Sequence, residues 1–98
     1  MSGAAEAAIG TVKRTLAIAN KRGLHARAAA KFVRTAGQFD ATVRVSFKGQ
    51  EVSGLSIMGL MMLAAGIGSE IEFSCSGRQA VEAMAALSAL VESKFGED

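Results

Sequence analysis

The chain has 98 residues, of which half are hydrophobic and a fifth charged, and its net charge is +2. That length supports one domain with one core, and the composition excludes a disordered or low-complexity chain. The longest apolar run, Ile57 to Ile67, carries two glycines and is shorter than the ~20 residues a bilayer crossing takes.

Residues 1–10 are rich in small side chains and lack an apolar period. They read as a flexible arm ahead of a domain spanning residues 11–96. Val12 to Ala19 alternates, with Leu16 and Ile18 facing a core, which predicts a strand. Asn20 to Leu24 is a loop with Gly23 as its turn residue. Ala26 to Ala36 is built of good helix formers. Ala29, Ala30, Val33 and Gly37 are expected to form its inner face, and Arg27, Lys31 and Arg34 its outer face. Gly37 ends it.

Ala41 to Phe47 alternates again, with Ala41, Val43, Val45 and Phe47 inward. Lys48-Gly49-Gln50 predicts a hairpin turn into a short edge strand over Glu51 to Ser53. Ser56 is placed to cap a short helix from Ile57 to Ala65, with Gly66 and Gly68 beyond it. Ser69 to Ser76 alternates with Ile71, Phe73 and Cys75 inward. Arg78 to Phe95 predicts a long amphipathic helix whose buried side carries Val81, Met84, Leu87, Ser88, Val91 and Phe95. Strands that alternate with period two have one covered and one wet face. That pattern favours an α+β fold with an antiparallel sheet and all helices on one side.

Charge and chemistry concentrate near one loop. Lys13, Arg14, Lys21, Arg22, Arg27, Lys31 and Arg34 fall in a window without a single acid. The only histidine, His25, lies inside it, just ahead of a helix start. Free backbone N–H groups and the helix dipole favour an anion at such a place. Neutral imidazole is a competent nucleophile near neutral pH, and Arg27 could hold a phosphoryl group with its guanidinium fork. A P-loop, a carboxylate cluster for magnesium and a catalytic triad are all missing. The residues therefore suit passing a phosphoryl group between larger partners, with no cofactor and no metal, and not independent enzymatic catalysis. Cys75 is the only cysteine, which excludes an internal disulfide and fits a reducing, cytoplasmic setting. The N-terminal stretch lacks a secretory pattern.

Gly23-Leu24-His25-Ala26-Arg27 resembles the active-site motif of the histidine-containing phosphocarrier family, HPr, of the bacterial phosphoenolpyruvate-dependent phosphotransferase system. Ser56-Ile57-Met58-Gly59-Leu60-Met61 resembles that family's regulatory-serine segment. The resemblance covers about residues 11 to 95. It implies a four-stranded antiparallel sheet with three helices on one face, in the order βαββαβα. It implies that enzyme I, charged by phosphoenolpyruvate, phosphorylates His25 on Nδ1, with Arg27 assisting, and that an enzyme IIA protein receives the group. One departure is Ala28, where the family usually has proline.

The resemblance also gives Ser56 a second role beside its cap, as a target of a serine kinase/phosphorylase. A phosphate there is electrostatically tolerable at a helix start. Ile57, Met58 and Leu60 are expected as apolar docking contacts, with Arg27, Ala26 and Lys31 on the rim. The resemblance implies a carrier feeding either sugar uptake or a nitrogen- or carbon-regulatory branch, and the stretch from Ser56 to Ala65 resembles proteobacterial members whose chain is mainly regulatory. Two other readings compete. One is a non-catalytic docking protein controlled by serine phosphorylation, which the presence of His25 disfavours. The other is a small RNA-binding module. The chain lacks Trp and Tyr, and Phe47 and Phe73 fall on the inward phase, so no stacking platform is expected. The chain is therefore expected to be a monomer that binds neither nucleic acid nor membrane.

Overall fold

The period-two alternation builds the sheet. The computed structural model describes residues 10–97. Four strands, β1 (Thr11–Ala17), β2 (Thr42–Phe47), β3 (Gln50–Ser53) and β4 (Glu70–Ser76), pair antiparallel in the spatial order β1-β4-β2-β3. Three helices, α1 (Ala26–Ala36), α2 (Ile57–Met62) and α3 (Ala80–Glu92), cover one face as an open-faced sandwich, and a 3-10 turn follows at Lys94–Gly96. The expected arm, apart from Gly10, lies outside the described residues.

Register aligns the inward rows. Val12 and Val43 flank Cys75, Val45 pairs with Phe73, and Leu16 pairs with Ile71. Phe73 meets Phe32 of α1 with ring centroids 5.5 Å apart. Burying a side chain of this size contributes about 1.5–3 kcal/mol. This contact sets which face of α1 points inward. The buried residues of α1 are Ala28, Ala29, Phe32 and Ala36. The expected face of Ala29, Ala30, Val33 and Gly37 is thus rotated by roughly one residue step, about 100°. Alanines are too small to define a face by themselves, and the large apolar area of Phe32 decides it.

Three further expectations need correction. Val81 is 66% exposed. It lies roughly 90° from the centre of the stripe formed by Ala80, Met84, Leu87 and Val91. Phe95 is fully buried as expected, but outside α3, on a left-handed turn with φ of 56°. The helix expected to reach Ala65 stops at Met62, and Ala64 takes φ of 55°. Its N-terminus matches expectation, with Gly59 N donating to Ser56 Oγ at 2.9 Å.

Because α2 has a buried side, Leu60 is fully buried in the core. It cannot be the docking contact expected of it. Met58, on the same helix, is 66% exposed. Leu60→Ala is expected to cost about 2–5 kcal/mol through loss of packing and the cavity left behind. Met58→Ala is expected to stay within about 0.5 kcal/mol of the parent. Urea denaturation of the two variants checks this division of one helix into core and surface.

Candidate histidine site at the start of α1

Gly23 positions the histidine. Its φ is +67°, in the region that favours glycine. A Cβ there would press on the Ala65 carbonyl oxygen and lie 2.8 Å from Gly66 Cα. The close approach lets Leu24 N donate to Ala65 O at 3.0 Å. His25 N then donates to Gly23 O at 2.9 Å, and His25 becomes the N-cap residue of α1 in an extended conformation. The first intrahelical bond runs from Ala29 N to His25 O. The amides of Ala26, Arg27 and Ala28 therefore have no i−4 partner inside the helix. The His25 side chain makes no capping bond to them. At Ala28, where proline would have no N–H, the backbone keeps a donor.

The imidazole is held from its far side. Nε2 bonds the carboxylate of Glu97, and both side chains are only 16% exposed. Asn20 is fully buried. Its Nδ2 donates to Gly23 O at 2.8 Å and to the other Glu97 oxygen at 3.1 Å. The bond from His25 holds the Glu97 carboxyl below its ordinary value of 4.5 against some desolvation, with help from Asn20 and the Arg22 charge. Around them is an open basin of about 470 Å³ lined by Lys21, Arg22, Arg27, Lys31, Gly96 and Glu97.

The segment that brings Glu97 here is conformationally costly. Lys94 and Phe95 have φ of 60° and 56°, followed by Gly96 at 72°. Left-handed backbone costs a non-glycine residue roughly 1–2 kcal/mol. Burial of Phe95 and a 2.6 Å bond from Lys31 Nζ to its carbonyl offset that cost.

Of the residues expected at the site, Arg27 and Lys31 line this basin, His25 adjoins it through its bond to Glu97, and Ala26 is exposed. Lys31 turns its ammonium onto the Phe95 carbonyl. Ser56 is elsewhere. Leu55 Cδ2 lies 3.9 Å from a Cβ built on Gly37, at the end of α1, whereas Leu24 meets Ala65 at its start. The two helices pass each other in opposite senses, so Ser56 and His25 lie at opposite ends of the pair. Ile57 and Met58 are exposed as expected. Leu55, Met61, Met62 and Ile67 are exposed too and extend the apolar face past the expected contacts. For Met61 and Met62 the signal was the helix that is apolar all round; Leu55 and Ile67 lie beyond its ends. Asn20 and Glu97 were not anticipated as site residues. Asn20 stands in the same loop as Gly23, close in sequence to the histidine, but Glu97 is 72 positions from His25 and no local pattern joins them.

An open-faced sandwich with a solitary histidine at the start of its first helix, set in a cationic basin, defines a class of small carrier domains. A model of the PTS HPr component phosphorylation site matches residues 12–93. The phosphocarrier protein HPr of Cupriavidus necator is 50% identical over 86 residues, 88% of this chain and 97% of that protein. The phosphocarrier protein NPr of Shewanella violacea is 41% identical over 86 residues, 88% and 94% of the two chains. The crystal structure of HPr-C-His from Thermoanaerobacter tengcongensis matches with a TM-score of 0.85 at 44% identity, covering 89% of this chain and 98% of that one. The chain belongs to the HPr family of phosphocarriers of the phosphotransferase system.

Two outcomes follow from this geometry. Gly23→Ala is expected to destabilise by more than about 1 kcal/mol, and its amide NMR shifts should move at both the His25 loop and Ala65–Gly66. Glu97, with its folded carboxyl held below 4.5, contributes stability above that pH and loses it as pH falls through the lowered value. The stability gap between the parent and Glu97→Gln should therefore be open at pH 6 and close under acid, as read by denaturation across pH.

Proposed function

We propose that His25 accepts a phosphoryl group on Nδ1 from enzyme I, charged by phosphoenolpyruvate, and gives it to an enzyme IIA protein. The observation that carries this reading is the placement of His25. Its Nε2 is occupied by Glu97, while Nδ1 makes no capping bond to the open amides of α1. Lys21, Arg22, Arg27 and Lys31 line the basin beside the ring, together with Glu97, and give it the positive charge that would draw a phosphoryl group. Arg27 is the exposed member of this set two residues past the histidine, and its guanidinium suits two oxygens at once. The protein is a carrier without independent catalysis. Its site stays open to solvent and partner, and among the described residues the one carboxylate lining the basin, Glu97, is engaged with the histidine ring.

Docking uses the exposed apolar residues of α2 and the turn after it, with Ile57 and Met58 as the first contacts and Met61, Met62 and Ile67 extending them toward the His25 loop. Ala26 and the basin cations form the charged rim. An acidic partner surface fits that rim. Ser56 is the regulatory residue of this reading. A phosphate on it would stand at the start of α2, beside Ile57 and Met58, and would add charge to the docking face without touching His25.

The test is transfer of label. With enzyme I and radiolabelled phosphoenolpyruvate, the protein should take up acid-labile, base-stable label. His25→Ala should take up none while keeping its fold by circular dichroism. Arg27→Ala should still be labelled, but about tenfold more slowly or worse, the scale of losing a charged hydrogen bond. Label that persists without His25, or a parent protein that stays unlabelled beside active enzyme I, would falsify the carrier.

A further inference from the structure

We infer that Glu97 is a positioning residue for His25: its carboxylate fixes the ring proton on Nε2, so that Nδ1 presents its lone pair to phosphorus. This inference rests on the carrier reading for its kinetic consequence and on geometry alone for its structural one.

The argument begins with hydrogen-bond chemistry. An ionised carboxylate can only accept. One oxygen of Glu97 accepts from Asn20 Nδ2 and the other faces His25 Nε2. The nitrogen facing it must therefore carry hydrogen. In a neutral imidazole the second nitrogen is then the base. Glu97 is not a loose surface group that met the ring by chance. Phe95, two residues earlier, is fully buried, Lys31 holds its carbonyl at 2.6 Å, and the left-handed turn at Lys94–Gly96 reverses the chain toward the ring. Non-glycine residues persist in such backbone when their surroundings over-determine it. Asn20, itself fully buried, joins the carboxylate to the Gly23 carbonyl of the histidine loop. The tail and the loop are therefore tied at two oxygens.

The transfer balances without any proton movement. Nδ1 attacks phosphorus and the N–P bond forms. The donor's bond to phosphorus breaks, and the donor keeps that electron pair. The ring retains its Nε2 hydrogen and becomes a cationic phosphoimidazolium, which the Glu97 carboxylate neutralises. On transfer to the acceptor the N–P bond breaks and the pair returns to Nδ1. The ring is again neutral with its proton on Nε2. The carboxylate thus bonds more strongly to the charged intermediate than to the free ring. Its place at Nε2 keeps its charge on the side of the ring away from the incoming phosphoryl oxygens.

The experiment uses Glu97→Gln and Glu97→Ala in the full chain. In the unphosphorylated parent, with its imidazole labelled with nitrogen-15, the His25 Nε2 hydrogen should be visible by NMR as a slowly exchanging resonance. It should be lost in Glu97→Ala. A parent ring without a protected Nε2 hydrogen overturns the inference, and this arm needs no phosphoryl donor. In single-turnover labelling by charged enzyme I, Glu97→Gln should lower the maximal rate about tenfold. The half-saturating concentration of enzyme I should barely change. Glu97→Asp should recover part of the rate. An unchanged rate sinks positioning, and a faster rate recasts Glu97 as a blocker. In both cases His25-dependent labelling of the parent leaves the carrier reading intact. A parent that takes no label sinks the carrier instead, and the Nε2 signal still decides the geometry.

Discussion

The bond from Leu24 N to Ala65 O is the constraint on which the functional end of the molecule depends. It is possible only because Gly23 lets two backbone segments approach more closely than any Cβ would permit. One of those segments delivers His25 to the start of α1. The other leaves the end of α2. A single backbone contact therefore joins the histidine loop to the helix that carries the exposed methionines. On the proposed reading, this contact would keep a docking face on α2 and the chemistry at His25 in one frame.

The sheet supports that frame from beneath. β1 ends where the histidine loop begins, and its ladder with β4 is continued by Ile18 N to Ser69 O at 2.8 Å and Gly68 N to Ile18 O at 2.8 Å. The last bonds of the sheet thus reach the segment just past Ala65. Phe32 over Phe73 then fixes the roll of α1. With that roll set, Arg27 stays exposed beside the basin, and Ala28 and Ala29 go under.

The architecture was legible because its core strands alternate and one helix, α2, carries a conventional serine cap. Val43, Val45, Ile71, Phe73 and Cys75 all point where period two puts them, and Ser56 caps where its spacing says. The histidine was legible because its loop, glycine and cations are local in sequence. What failed was finer. The face of α1 is ambiguous among alanines and depends on one phenylalanine. Val81 lies at the margin of a stripe. Leu60 belongs to a helix apolar all round, where pattern alone cannot separate core from surface. Glu97 could not be found at all, since its meeting with His25 depends on a turn in which two ordinary residues take left-handed backbone. Propensity argues against such a turn.

That missed residue changes the electrostatic account of the site. A window of cations without acids suggests a purely positive patch. The folded basin instead holds Lys21, Arg22, Arg27 and Lys31 with one carboxylate among them. Four positive charges against one still leave a positive field, which reaches about 8–10 Å at physiological salt and is of the sign that attracts anions. At contact range the single carboxylate acts differently, because it is bonded to the ring and to Asn20 and is largely shielded from water. A cation in its place would leave a phosphoimidazolium uncompensated at Nε2. A second carboxylate at the Nδ1 side would repel the phosphoryl oxygens. The one acid of the basin is bonded at Nε2, and on the proposed reading the ring's other nitrogen, toward the open amides of α1, is left for a bond which must form and break with nearly equal ease.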